Sequence, residues 1–72
     1  MPQAEYAIAG CYADGEGVPQ DNIEAYKWIS LAESHGVTNA TIFKNALWKK
    51  LSPEQQAKAQ KVVDKLLEEK KK

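Results

Sequence analysis

The sequence predicts an all-α chain of about four antiparallel helices, and three observations carry that prediction. Apolar residues recur at helical spacing in four separate segments. No segment alternates with period two, as a half-buried strand would. Two helix-start signatures punctuate the chain, "DNIE" at 21–24 and "SPEQ" at 52–55.

The first helix, helix A, is predicted to end near Asp14. Ala4, Ile8, Cys11 and Tyr12 fall at i, i+4, i+7 and i+8 and form its apolar stripe, and Gly15 suits the position just past its end. In the second helix, helix B, Asp21 is the N-cap and Glu24 completes a capping-box pattern. Its stripe is Ala25, Trp28, Ile29 and Ala32, with His35 in the last turn and Gly36 ending it. A third helix is expected to start at Thr38 or Asn39, with Phe43, Ala46, Leu47 and Lys50 or Leu51 on its inner side. The fourth opens with Ser52 as N-cap, Pro53 at the first helical position and Gln55 closing the box. Its stripe is Ala59, Val62, Val63, Leu66 and Leu67. Short connections suit antiparallel helical hairpins.

The stretch "YADGEGVPQD", 12–21, is the part of the chain that most resembles a ligand loop. A calcium loop of the EF-hand type begun at Asp14 would need an oxygen ligand at position 5, glycine at 6 and glutamate at 12. Those places hold Val18, Pro19 and Ala25. A phosphate-cradling loop should follow a strand and carry a longer glycine fingerprint. This one follows a helix, offers only G-x-G, and bears acids that repel phosphate. Gly15 and Gly17 instead supply positive-φ positions for a chain reversal, Val18 can enter the core, Pro19 stiffens the exit, and Asp21 caps the next helix. The loop turns the chain.

Seventy-two residues make one small domain, for which a single core leaves only ~3–5 kcal/mol of net stability. One cysteine excludes an intrachain disulfide, and one cysteine with one histidine falls short of a zinc site. Cys11 and His35 could be imagined as a thiolate–imidazole pair, but no third orienting group is evident, and Cys11 sits on the predicted core stripe. Trp28 and Tyr12 read as core aromatics, and Trp48 as core, rim or exposed contact. No catalytic, cofactor-binding or metal-ligating residue is assigned. The opening "MPQAEY" lacks the regions of a signal peptide, and no apolar run approaches the ~20 residues of a membrane span, so a cytoplasmic protein with no membrane role is expected.

Net charge is zero but unevenly placed. Residues 1–36 hold six acids and one lysine, whereas residues 37–72 hold nine lysines and four acids. There is no arginine, the residue that forked recognition of phosphates and base edges favours, so nucleic acid is not an expected partner. The lysines at 70–72 suit a solvated helix terminus.

Residues 4–36 resemble one Sel-one-like repeat (SLR), a branch of the TPR-like helical solenoids. The family pattern is matched by Ala4, Ile8-Ala9, Tyr12, the Gly15-Glu16-Gly17-Val18 turn, Asp21, Ala25, Trp28, Ala32 and Gly36. The departure is Ala9, where the family usually has glycine. Asn39-Ala40, Ser52-Pro53-Glu54-Gln55, Ala57 and Ala59-Gln60 resemble the C-terminal end of such proteins. Ala40 lies 36 residues after Ala4, which makes the third helix a degenerate helix A. The resemblance implies two units: a single repeat at 1–36, and a C-terminal capping helix pair at 37–72.

It further implies a non-catalytic protein–protein interaction module, a scaffold or adaptor that grips a protein partner on the concave helix A surface. The expected contact residues are Gln3, Glu5, Tyr6, Ala7, Asp14, Thr41, Lys44, Asn45 and Trp48. The alternative is a purely structural piece, self-associating or capping, without its own ligand. Repeats bury their core between neighbours, and ~3 or more are usually needed. A homo-oligomer, a dimer that covers helix A and the outward-facing Tyr6, is therefore expected.

Overall fold

The computed structural model describes residues 2–70, with side-chain surroundings for residues 3–68. The lysine-rich ending at 69–72 lies outside the described side chains. The chain is all-helical: α1 (Pro2–Asp14), α2 (Asn22–Ser34), α3 (Asn39–Lys50) and α4 (Pro53–Lys70). Among the described residues there is no strand.

α2 is the hub, because it packs against α1, α3 and α4. Its predicted stripe holds for Ala25, Ile29 and Ala32, which are fully buried. Tyr26, Ser30 and Leu31 are buried as well, so α2 is covered on more than the one face that the periodicity indicates. Trp28 is only half-buried, with its indole Nε1 out of solvent and unpartnered and the Lys27 ammonium 5.1 Å from its ring centre. Leu47 and Leu51 close the core from the α3 side, and Ala59 and Val63 from α4.

α1 is rotated from the expected stripe. Ala9 is the residue buried completely, flanked by half-buried Tyr6, Tyr12 and Ala13, whereas Ala4 is exposed and Ile8 and Cys11 are half-buried. Alanines and other apolar residues occur on every side of this helix, so periodicity alone specifies its facing poorly. The choice falls to packing, and the small Ala9 lets α1 approach α2 closely. Tyr6 is also corrected. Its ring stands edge-on against Phe43 of α3, centres 5.6 Å apart and planes at 84°, instead of pointing to an outer edge. Such a pair is worth about 0.5–1.5 kcal/mol beyond its burial.

The junctions show how the chain is punctuated. α1 ends where the Gly15 amide donates to the Cys11 carbonyl at 2.7 Å, with Gly15 at φ 74° and Gly17 at φ 75°. Both are left-handed positions that cost a β-branched residue heavily. α2 ends in a Schellman motif: Gly36 at φ 93° donates to the Glu33 carbonyl, and Val37 reaches back to that of Ala32, each at 3.0 Å. At the start of α2, Asp21 Oδ1 accepts from the amides of Ile23 and Glu24 at 3.0 and 3.2 Å. The return half of the expected capping box is not made. The Asp21 amide donates to the Tyr12 carbonyl across the loop, and Glu24 pairs with Lys27 at 2.9 Å. At the start of α4 both halves form, Gln55 N–H to Ser52 Oγ at 3.2 Å and Ser52 N–H to Gln55 Oε1 at 3.0 Å.

Candidate functional site

α1 and α3 flank an open groove of about 440 Å³. Tyr6, Ala13, Ile42, Phe43, Ala46 and Leu47 give it an apolar floor and walls, and Asp14, Asn39 and Lys50 supply polar edges. Gln3 and Tyr6 share an adjoining recess with Val37 and Asn39, at the beginnings of the two helices. Asp14 and Lys50 stand at their ends. α1 and α3 therefore run along the groove in the same direction. Ile42 is the large apolar side chain that stands out, 72% exposed.

The nine expected contact residues separate into three groups. Tyr6 and Asp14 line the groove, and Gln3 lines the adjoining recess. Ala7 and Asn45 are exposed outside these linings. Glu5, Thr41, Lys44 and Trp48 are engaged within the fold. Glu5 Oε1 lies 2.6 Å from His35 Nδ1, tying the first turn of α1 to the end of α2. Thr41 Oγ1 and Lys44 Nζ donate to the two Glu33 carboxylate oxygens at 2.7 and 2.8 Å, joining α3 to α2. Trp48 packs on Tyr26 with ring centres 5.3 Å apart, and its carbonyl accepts from Gln56 Nε2 at 2.9 Å.

Sequence reasoning missed the groove wall of α3. The periodicity places Phe43, Ala46, Leu47 and Lys50 or Leu51 on the packing side and leaves Ile42 off it, and of the last two it is Leu51 that is buried. Phe43 and Leu47 both pack and line the groove, while Ala46 and Lys50 are exposed. The available signal was Ile42 itself, an isoleucine one position off the apolar stripe of an otherwise polar helix face.

Electrostatics follow these contacts. The Lys44 ammonium, then the Thr41 hydroxyl, hold the Glu33 carboxyl below its ordinary value. Burial pushes the Tyr26 phenol above its own, partly offset by nearby Lys44. Asp14 and Lys50 enter none of the ion pairs found among the described residues. Among those residues no three His, Cys, Asp or Glu side chains are grouped to hold a metal ion. No described helix is long and apolar enough to cross a membrane.

These features define an all-helical chain built around α2, with an open apolar groove along α1 and α3. No family model, characterised protein or solved structure matches it.

Proposed function

We propose that this chain is a non-catalytic protein–protein interaction module of the Sel-one-like repeat type, a cytoplasmic scaffold or adaptor that holds polypeptide in the α1–α3 groove. The observation that carries this reading is the groove itself, lined by Tyr6, Phe43 and a largely exposed Ile42, with one acid and one base at its end. Exposed aliphatic and aromatic side chains around a concavity suit an apolar side chain of a partner, and the free carboxylate and ammonium would fix its orientation. The solenoid arrangement is part of the same reading. It is supported by the glycine turn at 15–17 and by α2 packing against both of its sequence neighbours.

A random-peptide display selection on the intact chain, run in parallel on Ile42→Glu, tests the reading. The unchanged chain should enrich peptides with a shared apolar anchor, and the variant should not. Failure to enrich any peptide on a chain that also stays monomeric, or enrichment indifferent to Ile42, would sink it. The alternative of a purely structural, self-associating or capping piece is favoured by one observation. Ala4 is exposed, whereas Ala40, 36 residues on, is fully buried.

A further inference from the structure

We infer that the groove's occupant is a second copy of this chain, laid face to face about a two-fold axis parallel to α1 and α3. The inference rests on the reading of the groove as a polypeptide-binding face, and names the polypeptide.

Symmetry and charge together select this arrangement. Because α1 and α3 point the same way along the groove, a two-fold axis parallel to them sets α1 of one copy over α3 of its partner, at the same level. The reverse holds for the other pair of helices, as an isologous contact requires. Asp14 and Lys50 stand at the same end of opposite walls, exposed and outside the ion pairs of the described residues. The two-fold places each Asp14 opposite a Lys50 across the contact. Two reciprocal pairs form from charges that the single chain leaves unmatched.

Size complementarity points the same way. Ile42 protrudes from α3, 72% exposed, and at nearly the same level α1 carries the small, exposed Ala7, one residue past Tyr6. Ile42 of each copy lies over Ala7 of the other. A foreign peptide could cover Ile42, but nothing in the chain prescribes its charges; a second copy brings the matching ones with it.

Sedimentation with charge reversal tests the inference. The intact chain should show a mass twice its 8.0 kDa at high micromolar concentration, falling toward one chain as salt rises from about 0.1 to 1 M. Asp14→Lys and Lys50→Asp, both at exposed positions, should each sediment as monomers with helical circular dichroism intact, because each faces like charges across the two-fold. Their equimolar mixture should recover the dimer, since one copy then presents only lysines and the other only aspartates. The double variant Asp14→Lys/Lys50→Asp should dimerise by itself. A chain monomeric to about 1 mM, or a dimer indifferent to both reversals, would overturn the inference. Groove-dependent peptides enriched on a strictly monomeric chain would overturn it while leaving the interaction reading standing. With neither peptides nor dimer, both fall.

Discussion

α1 and α3 carry related apolar patterns 36 residues apart, and they use them differently. Ala40 is fully buried and Leu47 nearly so, while Ala4 is exposed and Cys11 half-buried. Phe43 packs onto the core where Ala7 is exposed, and Leu51 is buried where Gly15 is exposed. The reason is what stands beside each helix. α3 lays this face on α2 and pins it with Glu33, bonded to Thr41 and Lys44. α1 meets α2 through a different face, centred on Ala9, and leaves Ala4 and Ala7 exposed and Cys11 half-buried. A periodic stripe thus states that a face is available for burial; a neighbour decides whether burial happens.

That contrast is broken most severely at Leu47. Leu47→Ala should cost about 2–5 kcal/mol, comparable to the whole net stability of a domain this small. Urea unfolding should find the variant largely unfolded near room temperature. Next comes overpacking. Ala40→Leu inserts bulk where there is no exposed surface and should cost about 1–3 kcal/mol, whereas Ala4→Leu at the related open position should leave the urea midpoint nearly unchanged. Equal effects at both positions would erase the distinction between the two helices. Gly15→Val, which forces a β-branched residue into φ 74° beside Gln20, should cost on the order of 1–3 kcal/mol in thermal melts.

A smaller effect separates the helices by pH. The folded Glu33 carboxyl is held below its unfolded value of about 4.3, so its bonds to α3 stabilise fully above that value. The contribution disappears as pH falls through the lowered folded value. Glu33→Gln should flatten the acid side of a stability-versus-pH curve, and an unchanged slope would remove Glu33 from the contact that distinguishes α3. The smallest effect is expected at Cys11. Cys11→Ala on the open face should shift stability by no more than about 0.5 kcal/mol. A loss matching that at Leu47 would place α1's open face in the core after all.

Much of this was legible in the residues. The four helices, the glycine turn and the Ser52–Gln55 box follow from local chemistry: a cap needs an oxygen at one spacing, and a reversal needs a residue without a Cβ. What was not legible is rotation and partnership. Ala-rich α1 offers apolar atoms in every direction, so its facing is set by which neighbour fits Ala9. Asp21 had two possible partners for its amide, and the Tyr12 carbonyl, brought near only by the fold, replaced the Glu24 side chain. The groove was half visible for the same reason. Tyr6 and Asp14 on α1 are expected contacts from the sequence, but Ile42 becomes notable only because α1 leaves it uncovered.

The two bends beside α1 and α3 differ in one more respect. Residues 16–20 form an exposed bulge apart from half-buried Val18, its base clasped by the Asp21 amide on Tyr12 and the Gln20 side chain on the Ala13 carbonyl. The bend between α3 and α4 is only Leu51 and Ser52, and Leu51 is sunk in the core. Doubling a loop's length adds only about 0.6 kcal/mol of closure entropy. Extra residues at Gly17 would leave the clasp and the core untouched, whereas an extra residue at 51–52 would disturb the buried seat of Leu51. Of these two bends, the one between α1 and α2 is where the chain can lengthen without touching the core.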